Sequence, residues 1–406
     1  IKDSRKDINM IAIFLSPLYI LINFYIARWL LSWMQACSKH FNKRRIRVLI
    51  ITIYTFFASA LLIGFLLPPS PLERIMKLIG NYWLGVLLYV ILTVLIADAT
   101  RLVVKKSKKI PEEYIRSKKV FVIAGTICIV IISSLSIFGA INARVIHTTK
   151  YEVTINKKVK KIKQLRIALV ADLHMGYNIG TPHIQRMVQK INEQNPDLVV
   201  MAGDIFDNEY EALDNPDAIV KTLKKIKSKY GVYATYGNHD IKEKILAGFT
   251  FSKKGEKKVS DIRMDQLLDD ANITLLRDES VLIDDSFYLY GRPDYRRPGR
   301  GITVRKTPEE ITADLDKSKP IIVVDHEPNE LQELADAGVD MDLSGHTHDG
   351  QMFPGNITTA LMWENSYGYL KKGNMHNIVT SGVGLFGPNM RVGTIAEVAI
   401  IDVNFK

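Results

Sequence analysis

The chain has 406 residues, long enough for two domains, and a formal net charge of +11. Residues 1–150 hold 21 Lys and Arg against 6 Asp and Glu, a net charge of +15, whereas residues 151–406 hold 33 against 37, a net charge of −4. The basic half is also the apolar half and lacks zinc-finger spacing, which favours loops beside an anionic membrane over a nucleic-acid partner. The two cysteines, Cys37 and Cys128, are too few for a disulfide framework or a cysteine metal site.

Four long apolar runs in the first half predict membrane-spanning helices. Each is long enough for a span of about 20 residues, and they are Met10–Met34, Ile46–Leu67, Tyr82–Val104 and Val120–Ala143. Their number and length indicate a retained anchor and not a cleaved leader. We therefore expect an all-α transmembrane bundle of about four spans in residues 1–145, a linker in 146–163 and a second domain in 164–406.

Basic residues in the loops predict an orientation. The first and third loops between the runs are rich in Lys and Arg, whereas the second has only Arg74 and Lys77. The positive-inside rule places loops one and three in the cytoplasm, so four spans put the C-terminal domain outside a multi-pass cell membrane protein. The stretch after the last run is basic as well, which leaves a cytoplasmic domain as the alternative.

From residue 165 onwards, predicted strands alternate with predicted helices. Five of these strands end directly before histidines, carboxylates or amides. The endings are Asp172-Leu173-His174, Gly203-Asp204, Gly237-Asn238-His239-Asp240, Asp325-His326-Glu327 and Gly345-His346-Thr347-His348. Because loops at the carboxyl ends of strands in an α/β sheet converge on one crevice, we expect these side chains to meet there.

The residue types at the strand ends predict the chemistry. Oxygen and imidazole ligands without thiolate suit Mn²⁺, with Fe or Zn²⁺ as alternatives, and a carboxylate can bridge two ions. The seven candidate ligands are Asp172, His174, Asp204, Asn238, His326, His346 and His348. They are too many for one tetrahedral ion and predict two divalent ions. Two ions about 3.5–4 Å apart can each bind a phosphate oxygen and share a hydroxide that attacks phosphorus in line.

These five segments resemble the motifs of calcineurin-like metallophosphoesterases, and the resemblance covers roughly residues 160–404. The run Gly345–Gln351, with the later Gly-rich segment Ser381–Pro388 and Arg391, is similar to a bacterial membrane-anchored branch with a Gly-His-Thr-His-x-Gly-Gln signature. The resemblance implies an α/β domain built as an αββα sandwich of two sheets flanked by helices. Asp349 departs from the pattern, because this branch usually has Gly there.

The resemblance also implies a role for each site residue. Asp172, His174 and His348 would hold the first ion. Asn238, His326 and His346 would hold the second ion, with Asp204 bridging the two. His239 would contact the phosphate or protonate the leaving oxygen, oriented by Asp240, and Asn238 would touch the phosphate as well as its ion.

An arginine cluster is the candidate for substrate binding. Five arginines lie within fourteen residues, and they are Arg292, Arg296, Arg297, Arg300 and Arg305. They are either a clamp for a substrate phosphate or anionic headgroup, or a solvated loop. Arg391, in the Gly-rich segment, is a further candidate for the substrate site.

Together these features predict a membrane-anchored hydrolase of phosphodiesters or pyrophosphates. A lipid-linked or envelope phosphate is the expected substrate, because the anchor keeps the site near the bilayer, and membrane lipids are the expected partners. The alternatives are a cytoplasm-facing nucleotide-lipid pyrophosphatase, or a membrane sensor or scaffold that binds phosphate without turnover. The complete ligand set and His239 argue against a protein without turnover. The oligomeric state is left open.

Overall fold

A computed structural model of the chain describes residues 10–242, 245–246, 249–250, 259–299, 302 and 304–406. The chain divides into two units. The first comprises residues 1–140, 245–254 and 387–390, and the second comprises residues 141–244, 255–386 and 391–406.

The first unit is helical. Its helices are α1 (Met10–Cys37), α2 (Arg44–Leu66), α3 (Pro71–Ser107), the short α4 (Glu112–Ile115) and α5 (Lys118–Asn142), whose end continues into the second unit. Helix α3 begins well before the predicted run at Tyr82. Ser70 accepts a hydrogen bond from the backbone N–H of Glu73 at 3.2 Å, and the Glu73 carboxylate accepts one from the backbone N–H of Ser70 at 3.3 Å. This capping box, followed by Pro71, fixes the start of the helix.

Three helices, α2, α3 and α5, are long and apolar enough to cross a membrane, judged by length and composition among the described residues. They match the last three predicted runs, of which two end one residue beyond the helix, at Leu67 and Ala143. The first predicted run, Met10–Met34, is also helical and lies in α1, but α1 is not one of the three. It carries Asn23 and Arg28, and Asn23 accepts a hydrogen bond from the Tyr54 hydroxyl at 2.9 Å. The described residues thus contain three candidate spans where about four were predicted.

The second unit alternates strands and helices. In chain order the elements after α5 are β1 (Ile146–Ile155), β2 (Gln164–Val170), α6 (Thr181–Glu193), β3 (Leu198–Ala202), α7 (Pro216–Leu223), β4 (Val232–Thr235), the two-residue strands β5 (Ile245–Leu246) and β6 (Phe249–Thr250) of the first unit, α8 (Ile262–Asp270), β7 (Ile273–Leu275), β8 (Glu279–Ile283), β9 (Phe287–Gly291), α9 (Pro308–Thr312), β10 (Ile321–Val324), α10 (Leu331–Asp336), β11 (Met341–Ser344), α11 (Gly355–Met362), β12 (Gly368–Lys372), β13 (Met375–Val379) and β14 (Ala396–Phe405).

Two six-stranded sheets form the framework of this unit. Their strand orders are β1-β14-β2-β3-β4-β7 and β12-β13-β11-β10-β9-β8. Strands β2, β3, β4 and β7 run parallel in the first sheet, and β9, β10, β11 and β13 run parallel in the second. The strands that precede the five motifs all belong to these two parallel sets.

Alternation along each strand explains the layered core. In β2, Ile167 and Leu169 are buried in the apolar cluster that includes residues of both sheets, whereas Ala168 and Val170 are buried in the cluster with helices α6, α7 and α8. A third cluster packs α10 against the outer face of the second sheet. The predicted αββα sandwich is confirmed.

The predicted linker of residues 146–163 is wrong for its first part. Residues Ile146–Ile155 form β1, which pairs in parallel with β14 from Ile146 opposite Ala396 to Ile155 opposite Phe405. Its lysines and threonines resemble a linker in composition. The strand nevertheless pairs with β14, about 250 residues away along the chain. Its residues Val153 and Ile155 are buried between the sheets.

Candidate metal centre

Three groups of potential ligands lie at the carboxyl ends of the parallel strands among the described residues, and two of them consist of predicted ligands. The third, which comprises His174, Asp207 and His239, shares His174 with one of these two. Asp172, His174 and His348 each offer one ligand atom, and these three atoms lie within 4.8 Å of one another. Asp204, His326 and His346 form a second group by the same measure. The first group follows β2 and β11, and the second follows β3, β10 and β11. Strand ends of both sheets therefore contribute to one centre.

Imidazole nitrogens face each other within each of the two groups of predicted ligands. Nε2 of His174 lies 3.0 Å from Nε2 of His348, and Nδ1 of His346 lies 3.0 Å from Nε2 of His326. Two ring nitrogens that face each other in this way can both direct a lone pair at a single cation. Nδ1 of His174 and Nδ1 of His348 are buried without a hydrogen-bond partner among the described residues. This donor arrangement fits cations.

Asp204 lies between the two groups. Its Oδ2 is 3.6 Å from Nε2 of His174 and 3.3 Å from Nε2 of His326. Its Oδ1 accepts a hydrogen bond from the backbone N–H of His239 at 2.7 Å. The Asp204 carboxylate is therefore close to an imidazole of each group. Asn238 adds an amide oxygen to the second group, with Oδ1 2.9 Å from Nε2 of His326.

The backbone at the ligands is held in an unusual conformation. Asp172, Asp204 and His346 have φ values of 54°, 48° and 70°, in the left-handed region that non-glycine residues rarely adopt. Both carboxylate oxygens of Asp172 accept a hydrogen bond from the backbone N–H of His346 at 3.0 Å. At Gly382, with φ +78°, an added Cβ would lie 2.8 Å from the Asp172 carboxylate. Tight local packing therefore positions the ligands.

The electrostatics of the centre suit a cation. Burial raises the pKa of the Asp172 carboxyl to about 6. Burial also acts to raise the pKa of Asp204, but His326 and His239 outweigh it and hold that pKa well below its usual range. Burial lowers the pKa of His346 to about 3, so this ring is neutral and its lone pair is available. Buried carboxylates of this kind need a compensating positive charge.

His174 has a second carboxylate behind it. Oδ1 of Asp207 lies 3.7 Å from Nδ1 of His174, the ring nitrogen that does not face His348. Burial acts to lower the pKa of His174, but Asp207, Asp204 and Asp172 outweigh it and raise that pKa. A carboxylate at this distance increases the basicity of the imidazole.

His239 lies beside the centre, with its ring centroid 5.2 Å from that of His174 and 4.6 Å from that of Phe386. Its orienting partner differs from the prediction. The Asp240 carboxylate accepts hydrogen bonds from the backbone N–H of Gly237 at 2.7 Å and of Phe206 at 2.8 Å. It thereby holds the turn, and the prediction that Asp240 orients His239 is wrong.

Asn208 supplies the contact instead. Its Oδ1 lies 2.5 Å from Nδ1 of His239. Sequence reasoning missed Asn208, although it stands only four residues after Asp204 in the segment Gly203-Asp204-Ile205-Phe206-Asp207-Asn208. The signal available was the presence of a polar side chain in the same strand-end loop as a ligand.

Two of the predicted substrate arginines are structural. Arg292 is fully buried, donates to Asp325 at 2.8 Å and to Glu330 at 2.7 Å, and shares both carboxylates with Arg305. Arg391 is also fully buried and donates to the carbonyl oxygens of Ser381 and Ile395, at 2.7 Å each. Guanidinium groups engaged in this way are not presented to a substrate. A substrate-binding role is therefore withdrawn for Arg292 and Arg391.

The remaining arginines of the cluster are Arg296, Arg297 and Arg300, and they lie in different environments. Arg297 donates to the carbonyl oxygen of Asn238 at 3.4 Å and so reaches the loop that carries a ligand. Arg296 is exposed. The backbone N–H groups of both donate to Asp294, at 3.0 Å from Arg296 and 2.6 Å from Arg297. Arg300 lies outside the described residues.

Two further carboxylates border the second group and were missed as site residues. Oε1 of Glu327 lies 3.6 Å from Nε2 of His346, and burial raises the pKa of Glu327 to about 7. Asp294 is fully buried, and its Oδ2 has no hydrogen-bond partner among the described residues. Burial raises its pKa, and His326 acts in the opposite direction.

Part of the chain matches a known family. Residues 165–350 match the family model described as calcineurin-like phosphoesterase. Members of that family are metal-dependent phosphoesterases that bind two divalent ions, and the described part of this chain contains groups of residues that could hold a metal ion.

The relatives of this chain include proteins named for a metallophosphoesterase domain or activity. A transmembrane protein with metallophosphoesterase domain from Danio rerio is 29% identical over 285 residues, which are 68% of this chain and 61% of that protein. An uncharacterized metallophosphoesterase from Campylobacter jejuni is 28% identical over 282 residues, 68% of this chain and 69% of that protein. The solved structure of a Haemophilus influenzae NAD nucleotidase aligns over 54% of this chain and 45% of that chain, with 14% identity and a TM-score of 0.35.

The chain thus spans less than two thirds of some curated relatives, covering 61% of the Danio rerio protein. Three described helices are long and apolar enough to cross a membrane, and relatives from Danio rerio and Bos taurus are named as transmembrane proteins.

Proposed function

We propose that the chain is a membrane-anchored hydrolase that cleaves phosphodiester or pyrophosphate bonds of a lipid-linked or envelope substrate. The observation that carries this proposal is the position of Asp204, within 3.6 Å of His174 and 3.3 Å of His326, between two groups of oxygen and imidazole ligands. Mn²⁺ is the proposed ion at both positions, with Fe or Zn²⁺ as alternatives.

Each residue of the centre has a proposed task. Asp172, His174 and His348 would hold one ion, and Asn238, His326 and His346 would hold the other, with Asp204 shared between them. Divalent ions bound there supply positive charge for phosphate oxygens and lower the pKa of water. His239 lies beside the centre and forms a hydrogen bond with the phosphate or the leaving oxygen. Asn208 holds its ring, and Arg297 restrains the loop of Asn238.

The lipid-linked substrate is supported by the apolar helices α2, α3 and α5, which tie the site to a membrane. We also propose that the second unit faces outside the cytoplasm, from the basic first and third loops. A single cysteine introduced at the exposed residue Lys224, with Cys37 and Cys128 replaced by serine, tests this placement. Labelling by a membrane-impermeant maleimide in intact cells is expected. Labelling only after lysis would favour the cytoplasm-facing pyrophosphatase.

Hydrolysis by the purified full chain in detergent tests the activity. We expect the chain to hydrolyse a water-soluble aryl phosphodiester when Mn²⁺ is added, with activity lost in Asp204→Asn and His346→Ala. His147→Ala is the matched control, because this exposed histidine lies outside the centre. Unchanged rates in Asp204→Asn would refute the mechanism. Binding of Mn²⁺ and phosphate without turnover of diesters, pyrophosphates or monoesters would support a sensor or scaffold.

A further inference from the structure

Helix α11 presents an apolar surface that is open to solvent. Ile357 and Leu361 are four residues apart, so they lie on one side of the helix, and they are 50% and 83% exposed. Met362 beside them is 77% exposed. We call these three residues the apolar ridge. Helix α11 contains no charged residue, and none of its residues is buried in the structure.

The apolar ridge adjoins the metal centre. Helix α11 starts five residues after Gly350, at the end of the His346–His348 motif, and the backbones of Gly350 and Gly355 pack so closely that neither has room for a Cβ. The ring of Trp363, directly after the helix, lies 5.3 Å from the ring of His346, with 74° between their planes. The backbone N–H of Phe353 donates to the carbonyl oxygen of Val392 at 2.8 Å. The ridge is therefore fixed relative to His346.

The intrinsic helix propensity of its residues does not stabilise a helix as short as α11. Eight residues are too few for a stable helix in water, and most helices are stabilised by packing of an apolar face. A contiguous exposed apolar surface usually marks a binding site. The ridge therefore has the features of a binding surface.

The chemistry of the neighbouring groups selects the occupant. A lipid-linked phosphate ester has a charged phosphate and an uncharged chain, and the structure places an imidazole and carboxylate centre beside an uncharged apolar ridge. Trp363 lies between the two, as an amphipathic ring suited to the junction. The chain also carries three helices able to cross a membrane, so lipids are near it.

We propose that the apolar ridge binds the acyl chain of the substrate, so that an amphiphilic phosphate ester lies with its phosphate at the metal centre and its chain along α11. This inference rests on the proposed function and narrows its substrate to esters that carry an alkyl or acyl chain. Burial of each methylene on the ridge would raise kcat/KM by up to about fourfold.

The test compares 4-nitrophenyl phosphodiesters carrying a short or a long alkyl chain, hydrolysed by the full chain in detergent micelles with Mn²⁺. The readout is the ratio of kcat/KM for the long-chain ester to that for the short-chain ester. We expect this ratio to be well above one in the wild type and to fall about tenfold in Leu361→Ser/Met362→Ser, mainly through KM. Leu361→Met should retain the ratio, because it keeps an apolar side chain. Ile262→Ser, on α8 and 59% exposed in the wild type, is the matched control and should retain it too.

The other outcomes separate this inference from the proposed function. A wild-type ratio near one, with both esters hydrolysed, would overturn the acyl-chain inference alone. An equal loss on both esters in Leu361→Ser/Met362→Ser, together with a smaller oligomer in light scattering, would make the ridge a subunit interface and overturn the inference as well. If the wild type hydrolyses neither ester, or if His346→Ala hydrolyses both normally, the proposed function fails and the inference fails with it.

Discussion

The side-chain oxygen of Asn208 lies 2.5 Å from Nδ1 of His239. The amide nitrogen of Asn208 donates to the carbonyl oxygen of Ile241 at 2.8 Å, which fixes the amide with its oxygen towards the ring. Nδ1 of His239 must therefore carry the proton that is donated to Asn208. Burial lowers the pKa of His239 to about 4, so Nε2 is unprotonated near pH 7 and must take up a proton before it can donate to a phosphate or leaving oxygen. Asn208 thus sets the tautomer of the ring beside the metal centre.

Asn208→Ala should lower kcat for a soluble phosphodiester about 10- to 100-fold with little change in KM, because His239 loses its orientation. Asn208→Asp keeps an acceptor for Nδ1–H and should retain more of kcat. Its negative charge should also raise the pKa of His239 and shift the acidic limb of the pH–rate profile upward. Steady-state kinetics as a function of pH, with Mn²⁺ content measured for each variant, gives the answer. Equal losses in both variants with no shift of the pH profile would mean that Asn208 only supports the fold.

Arg292→Ala should destabilise the second unit by about 3–5 kcal/mol, because it leaves Asp325 and Glu330 short of a buried cationic partner. Arg296→Ala, at an exposed position, should leave the melting temperature almost unchanged. Thermal unfolding of the two variants side by side measures the difference. A stable Arg292→Ala variant whose only defect is a raised KM would restore the substrate role that burial argues against.

Gly382→Ala should weaken Mn²⁺ binding. The residue has φ +78°, and an added Cβ would lie 2.8 Å from the Asp172 carboxylate, so the side chain must displace a predicted ligand. Gly387→Ala is the matched control, because it has φ +64° in the same Gly-rich segment but nothing within 4 Å of an added Cβ. Isothermal titration with Mn²⁺ should show a loss for Gly382→Ala well beyond that for Gly387→Ala. Similar affinities would mean that the segment yields without moving Asp172.

The residues of the centre could be predicted from the sequence because they stand at the ends of the strands. Each motif follows an apolar run directly, and parallel strands deliver their carboxyl ends to one edge, so His174 and His348 meet although they are 174 residues apart. Five short local patterns were enough for this. The sandwich followed from the resemblance that those patterns carry.

Features that depend on contacts between distant residues, or on the direction of a side chain, could not be predicted from the sequence. Arg292 and Arg296 look alike in the sequence, and only the fold shows that Asp325 and Glu330 surround one of them. The strand Ile146–Ile155 is defined by pairing with residues at the far end of the chain. Asp240 follows His239 directly, yet its carboxylate points to the backbone of Gly237 and Phe206.

The backbone conformation at Asp349 explains why Asp can replace the usual Gly at this position. Its φ of 50° lies in the left-handed region, which accounts for the usual Gly at this position in the similar branch and for the tolerance of Asp. Burial raises the pKa of its carboxyl to about 6, with Arg391 acting in the opposite direction.

Mn²⁺ affinity should rise with pH between about 5 and 7, because protons compete for Asp172, whose pKa burial raises to about 6. The stability of the metal-free chain should change with pH in the opposite direction. The folded state holds the Asp172 proton above the pH at which the unfolded chain releases it, so this group makes the metal-free fold less stable as pH rises from about 4 to 6. The increase in melting temperature on adding Mn²⁺ should therefore be larger at pH of about 7 than at about 5. Asp172→Asn removes the titrating group and should flatten this dependence. A Mn²⁺-induced shift that stays constant over that range in the wild type would show that Asp172 does not take part in binding.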